Sequence, residues 1–565
     1  MNVKRRQIAG SGAILLGSCL ALGLISQPVC HAESMILLKP TATWSVTGKD
    51  DVQQLKHLAS GIGWEFEPNA DTAAGLKKIG VKTIRCINVD PLPGSFNKEG
   101  KFVVGKPDRL LSHLATCRDV GANPHIIIAT GMLPELRLGV EDIPESQRGL
   151  FGNQTSKTVF GPKDWGKFQK YCMSYFEYIL IDQKFPDARF EVANEPDIGG
   201  AIHPFPPKPA MGSRALYEGY FNLYKNVSLA ATQFEKDHPG IHVTLGGPAI
   251  AWAFTFKFGD FNWAERFLRD CGEQKLKLDF LGVHYYGNIS SLDGEYSASY
   301  PPFTGMLKTT KTARDRYCPG LPIWITEWGA SYHTNNSPAS VISGNHIGAA
   351  WSAAYLDTML QSGVDGALYL VTTDLRQQNK EGKFENVWGW PSLFVNPAVF
   401  GKPYPKAPYH VFEMASRLEG TRVEATRGSE TVNCFASADK EKKRVTVMVW
   451  NYGCRLPEGG PAVENATREA VILRIRDADT FFGTGAVHMK RWLVSETVSN
   501  AFYLFQKEGK VDSRAELQQV DEGTFSVVDG MADIGFSAPP SSVSFIEIYA
   551  QPETVQKEED KGKTP

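Results

Sequence analysis

Two glutamates stand out by their neighbours. Phe190-Glu191-Val192-Ala193-Asn194-Glu195-Pro196 and Pro322-Ile323-Trp324-Ile325-Thr326-Glu327-Trp328-Gly329 are runs of strand-forming residues that reach a carboxylate and then a turn former or small residue. A carboxylate at a strand's end projects from the sheet edge instead of entering the core. Two such groups, facing each other across a sugar, can break a glycosidic bond: one gives a proton and the other acts as nucleophile or base. Glu195 and Glu327 lie 132 residues apart, so only the fold can join them. A parallel barrel would do so, because all its strands end on one face and reacting groups gather there. Asn-Glu-Pro alone is an ordinary turn sequence, and a lone Thr-Glu-Trp says still less. The weight therefore falls on the order of the elements around them.

That order is regular. Gly61 to Glu67 reads as a first strand, Val81 to Asn88 as a second carrying Arg85, and Pro124 to Gly131 as a third. The Glu195 run is the fourth, Val243 to Ala249 the fifth and Phe280 to Gly287, with His284 and Tyr286, the sixth. The Glu327 run is the seventh, and Gly366 to Val371 closes the series. Helical patterns fill the spaces between them: Pro107 to Val120, stopped by Gly121, then Trp165 to Ile181, Leu216 to Phe234 and His346 to Ser362. Near-continuous apolar strands alternating with amphipathic helices imply a parallel sheet covered by helices. Eight such units fit an α/β fold of the (β/α)8 TIM barrel type. A doubly wound open sheet is the rival, but no Gly-x-Gly-x-x-Gly turn follows an early strand to suggest nucleotide binding.

Beyond the last strand the texture changes. A proline-rich stretch from Asn396 to Pro408 and a short helix from Tyr409 to Leu418 precede five strand-like runs. These are Thr431 to Ala436, Arg444 to Trp450, Glu469 to Arg476, Ala486 to Leu493 and Ser541 to Tyr549, which read as an antiparallel β-sandwich. At the other end, Lys4, Arg5 and Arg6 precede an apolar stretch from Ile8 to Ile25, the pattern of an export signal. The expected organisation is a signal peptide over 1–32, an N-terminal segment over 33–50, the barrel over 51–402, the sandwich over 403–550 and a charged tail over 551–565. After signal removal the protein is expected to be secreted or periplasmic, with no membrane association. A formal net charge of −2, from 60 basic and 62 acidic residues, offers no field for nucleic acid. Scattered cysteines form no disulfide framework and no Cys-x-x-Cys metal motif, although Cys434 and Cys454 are close enough in sequence to pair within one domain.

The motifs, taken in order, resemble a known family. Phe190 to Asp197, Gly246-Gly247-Pro248-Ala249, His284-Tyr285-Tyr286, and Ile325-Thr326-Glu327 followed by Ala330-Ser331-Tyr332 are similar to the retaining glycoside hydrolases whose acid/base and nucleophile end barrel strands four and seven. Within that clan the chain most resembles glycoside hydrolase family 39, which includes β-xylosidases and α-L-iduronidases. The resemblance implies that Glu195 is the acid/base and Glu327 the nucleophile, that the partner is an oligosaccharide or polysaccharide, and that the segment over 33–50 joins the β-sandwich; no cofactor or metal is expected. The chain departs from the family at Ile87, where members carry a histidine, and at Ile128-Ala129-Thr130-Gly131, where members tend to carry a glutamate.

Each remaining candidate has an assigned task. Asn194 is expected to hold the sugar's 2-hydroxyl, a contact that strengthens in the oxocarbenium-like state. Arg85 is expected beside Glu327, keeping it ionised. Tyr286 and His284 are expected to touch the carboxylates, Trp328, Trp388 and Trp390 to stack on pyranose faces, and Asp374 to make a polar contact. Asn88 and Asp90 join Asp374 as candidates for choosing the sugar. If the reaction retains configuration, the two carboxyl groups should lie about 5–5.5 Å apart. Exo-action on a neutral pyranoside is the favoured reading. An endo-glycanase, a transglycosylase and a non-catalytic carbohydrate-binding barrel remain open.

Overall fold

The computed structural model describes residues 33–550 apart from 64–69, 87–88, 130–132, 137–160, 199–213, 252–261, 288–302, 332–337, 379–383, 453–466 and several shorter stretches. The signal and tail regions, most of the loop 139–161, the loop 203–212, and Ile87, Asn88, Asp90 and Cys454 therefore lie outside the described residues.

Eight parallel strands close into a barrel in strict chain order. They are Gly61–Gly63, Thr83–Cys86, Asn123–Ile128, Arg189–Val192, Thr244–Ile250, Phe280–Tyr286, Ile323–Gly329 and Gly366–Tyr369. The eighth pairs with the first through Tyr369 and Ile62, which excludes the open-sheet alternative. Sequence-local signals set the helices between them. Asp164 caps Trp165–Phe176 by accepting from the Lys167 amide, and Asn345 caps His346–Gln361 in the same manner. Gly121 ends Asp108–Val120 in the left-handed conformation at φ 79°. The expected helix from Trp165 to Ile181 instead widens after Phe176 into a π-helical turn over Glu177–Asp182.

The barrel's interior is a packed core in which large and small residues face one another. Phe280, Trp324 and Leu368 form one buried cluster. It fits because Gly366 leaves room, since a Cβ there would stand 2.5 Å from the Trp324 ring. Outside the barrel, helix Ala407–Ser416 lays Phe412 against Trp328 and Tyr369, and Tyr409 donates a hydrogen bond to the Gly75 carbonyl. This helix thus belongs to the barrel's outer layer, although it lies past residue 402.

The remaining strands form two sheets joined at their corners. Thr421–Ala425 and Gln518–Val528 each pair into both sheets, so that hydrogen bonding runs all the way round. The N-terminal strand Glu33–Thr43 pairs antiparallel with Thr421–Ala425 and parallel with Glu469–Ile475. Three strands were not legible: Thr421–Ala425, Gln518–Val528 and Met531–Ala538. Gln518–Val528 is exposed along most of its length and rich in Gln, Asp, Glu and Gly, and its pairing partners rather than its propensity make it a strand. Between Ala486–Val494 and Gln518–Val528 an arm containing helix Ala501–Glu508 reaches the barrel, where His410 Nε2 donates to the Ala515 carbonyl at 2.7 Å. Among the described residues no helix is long and apolar enough to cross a membrane.

Two glycines should answer oppositely to the same substitution. Gly366→Ala is expected to cost about 1–3 kcal/mol by overpacking against Trp324. Gly305→Ala, in helix Phe303–Tyr317 with nothing within 4 Å of the added methyl, should be neutral or stabilise by up to about 1 kcal/mol. Thermal or urea unfolding of the two variants measures the contrast.

Candidate active site

Residues at the carboxyl ends of the barrel strands leave regular geometry. Successive residues of a strand point to opposite faces, so Asn194 and Glu195 would normally diverge. Ala193 at φ 64° and Glu195 at φ 48° break that alternation, and both side chains reach the barrel mouth. Ala129, Ala249 and Val371 adopt the same left-handed conformation at the ends of the third, fifth and eighth strands. Non-glycine residues accept this at a cost of order 1 kcal/mol each, and such strain concentrates at functional sites. On the seventh strand an extra residue does the re-aiming. Ile325 pairs with Val283 but Glu327 pairs with His284, leaving Thr326 as a bulge that turns Glu327 inward.

These departures bring one cluster together. Arg85 Nη1 donates to Glu327 Oε1 at 2.6 Å, and Tyr286 donates its hydroxyl to Glu327 Oε2 at 2.6 Å. Arg85 Nη2 donates to Asn194 Oδ1 at 2.8 Å. His284 Nδ1 lies between the two glutamates, 3.1 Å from Glu195 Oε1 and 3.4 Å from Glu327 Oε2. One carboxylate oxygen of Glu195, one of Glu327 and a ring nitrogen of His284 all lie within 4.8 Å of one another. The Glu195 side chain keeps 23% of its surface exposed against 8% for Glu327, so Glu195 is the one that meets solvent.

The electrostatics follow from this packing. Burial pushes the Glu327 carboxyl up, but His284, Arg85 and the Tyr286 hydrogen bond outweigh it and hold the group below the usual carboxylate range. Burial pushes His284 down, yet Glu327 and Glu195 carry it above its ordinary value against opposition from Arg85. Burial and the nearby Glu327 charge keep the Tyr286 phenol protonated, as a donor must be.

Not every expected residue belongs here. Trp328 is fully buried, its ring packed against Trp351, Tyr355, Tyr369 and Phe412. Alternation explains the correction: with Glu327 turned into the barrel, its neighbour points out toward the helices. Trp388 is likewise buried, in a cluster with Val395, Phe400 and Phe502, Phe505 of the arm, and presents no face to a sugar. Asp374 is not a free polar contact either. It is buried in an ion pair with Lys406, at 2.6 Å, and accepts from the Trp390 amide and the Ser392 hydroxyl. That clip fixes the loop carrying Trp390, whose half-buried ring packs against Tyr286, Leu370 and Val371 beside the cluster.

Sequence reading passed over Glu191 and His125. Glu191 Oε2 accepts from Arg85 Nε at 2.9 Å and from His125 Nε2 at 3.2 Å, entirely inside the barrel. A signal was present: Glu191 is a carboxylate in an apolar strand, four residues before Glu195 and on the same face. His125 stands in register beside Arg85 on the next strand.

The comparisons with known proteins bear on the family and the fold. The family model described as Glycosyl hydrolases family 39 matches residues 182–515. A beta-xylosidase of Geobacillus stearothermophilus is 23% identical over 416 residues, 69% of this chain and 72% of its own length. The crystal structure of the GH39 enzyme from Xanthomonas axonopodis pv. citri superposes with a TM-score of 0.66 at 18% identity, over 94% of this chain and 100% of that one. A monomeric beta-xylosidase from Caulobacter crescentus CB15 gives 0.65 at 19% identity, over 92% and 100%. With a parallel barrel that gathers two glutamates at one mouth, and with the family model matched across more than half its length, the chain belongs to family 39 of the glycosyl hydrolases and is an O-glycosyl hydrolase acting on a carbohydrate.

Proposed function

We propose that this hydrolase cleaves β-glycosidic bonds with retention, through a covalent glycosyl-enzyme, with Glu327 as nucleophile and Glu195 as acid/base. The observation that carries the proposal is the closeness of the two carboxylates, whose nearer oxygens lie within 4.8 Å. Inverting pairs stand roughly 6.5–9.5 Å apart to admit a water between them. Environment separates the roles. Glu327 receives Arg85 and Tyr286 and is held ionised, as a nucleophile must be. Glu195 is more exposed and, among the described residues, meets no arginine or lysine but only the His284 ring that it shares with Glu327, which suits a group that serves the leaving oxygen and the incoming water.

The reaction follows from these positions. Glu327 attacks the anomeric carbon while Glu195 gives its proton to the departing oxygen. Glu195 then takes a proton from the incoming water, which displaces Glu327. Asn194, held by Arg85, is placed to meet the 2-hydroxyl of the sugar. Two relatives, from Geobacillus stearothermophilus and Caldicellulosiruptor saccharolyticus, are named beta-xylosidases, which supports a neutral β-xyloside or similar pyranoside, attacked from the chain end. Arg85 also argues against a uronate, since its charge is taken by Glu191 and Glu327. Export, expected from residues 4–25, would place the enzyme with such a substrate outside the cytoplasm.

Glu327→Ala should abolish turnover of every substrate. Glu195→Ala should lose about 10²–10⁴-fold on an unactivated xyloside but much less on an aryl glycoside with a good leaving group. Azide should then rescue Glu195→Ala to the β-glycosyl azide and Glu327→Ala to the α-anomer. The opposite products, identified by NMR, would reverse the roles.

Because Glu327 is held below the usual range, the acid limb of kcat/KM should lie lower than that of an unperturbed glutamate. Removing the cation by Arg85→Gln should raise that limb by roughly one unit or more. A pH–rate profile in which the limb stays still would remove Arg85 as the group that keeps Glu327 ionised.

A further inference from the structure

Glu327 and Asn194 use only part of Arg85. The other edge of the guanidinium is taken by Glu191, which is fully buried beneath the strand ends and has no route to a sugar. A single oxygen of Glu191, Oε2, accepts from Arg85 Nε at 2.9 Å and from His125 Nε2 at 3.2 Å, and lies in ion-pair contact 2.8 Å from Arg85 Nη2. The other oxygen, Oε1, has no hydrogen-bond partner among the described residues. It fits only because the facing residue is Gly282, where a Cβ would stand 2.1 Å away. An ionised carboxylate with half its acceptor capacity unused is costly to bury, and one counter-charge, Glu327, would already serve Arg85. A purely structural account leaves this second carboxylate unexplained.

We infer that Glu191 is a positioning residue for the reaction: it anchors Arg85 through Nε and takes up part of its charge, so that the same guanidinium orients Glu327 and Asn194 without overbinding the reacting carboxylate. The inference rests on the roles proposed above for Glu195 and Glu327. Its geometric half comes from the rigidity of the guanidinium, whose five N–H groups keep a fixed planar fork. With Nε held from below, Nη1 points at Glu327 and Nη2 at Asn194, with His284 Nε2 3.4 Å from the same Nη2.

The electrostatic half comes from what surrounds Glu327. Arg85 on the second strand, His284 and Tyr286 on the sixth and, across His284, Glu195 on the fourth face it. Glu191 and His125 face Arg85 from the fourth and third strands. Deleting the charge on Glu191 leaves the full charge of Arg85 acting on Glu327. The carboxylate then loses its proton at lower pH and becomes a weaker nucleophile.

Glu191→Gln in the full chain tests this with an activated aryl β-glycoside. The expected result is kcat lowered about 10- to 100-fold, KM little changed, and the acid limb of kcat/KM moved down by roughly one pH unit. Glu191→Asp keeps the charge but retracts it, so kcat should fall while the limb stays at its wild-type position. A Glu191→Gln limb that coincides with the wild type would overturn the inference, whatever happens to kcat. Should Glu191→Gln fail to fold, an unchanged kcat in Glu191→Asp would overturn it, and a lower kcat with an unmoved limb would support it. Labelling the wild-type enzyme with an activated 2-deoxy-2-fluoro glycoside, and locating the label by peptide mass spectrometry, separates the two levels. A label off Glu327 would sink the role assignment itself, whereas a label on Glu327 with an unmoved Glu191→Gln limb would sink only this inference.

Discussion

A guanidinium with no exposed surface sits at the centre of this molecule's chemistry. Arg85 is wholly buried, and taking such a cation out of water costs several kcal/mol unless carboxylates and hydrogen bonds meet it. Here Glu191, Glu327 and Asn194 all do so, each from a different height of the same barrel mouth. The arrangement binds three strands to one another through charge. It also explains why Glu327 can be almost buried and yet ionised: Arg85, His284 and the Tyr286 hydroxyl replace the water it has lost.

Holding that cluster requires the strand ends to abandon regular geometry. Left-handed residues at Ala129, Ala193, Glu195, Ala249 and Val371 and the bulge at Thr326 all lie at the carboxyl ends of barrel strands. The regular part of each strand supplies the rigidity that tolerates such strain. Below it, Phe280, Trp324 and Leu368 fill the barrel's foot, so the mouth rests on a packed floor.

The second domain also reaches the site's surroundings. Its arm packs Phe502 and Phe505 against Trp388, and the buried Asp374–Lys406 pair clips the same loop two residues further on, at Trp390. Trp390 in turn packs on Tyr286, which donates to Glu327. A continuous path of contacts thus runs from the sandwich to the Glu327 carboxylate. Asp374 and Trp388, read from sequence as sugar contacts, are parts of that brace.

The sequence alone determined the alternation of strands and helices and the places of Glu195 and Glu327 at the ends of the fourth and seventh strands. Those features rest on local signals: apolar runs of strand length, caps and glycine stops, and carboxylates at strand ends. Only the tertiary structure decided which way each side chain faces. Trp328 and Glu327 are neighbours in sequence, yet the bulge at Thr326 sends one inward and the other into the helix layer. Glu191 reads as one polar residue in a buried strand until the barrel closes and sets it under Arg85, 106 residues away. Strand Gln518–Val528 likewise has too little apolar character to declare itself and owes its form to its partners. Local propensity is written in neighbouring residues, whereas facing, pairing and the sharing of one charge between two carboxylates arise only when distant strands meet.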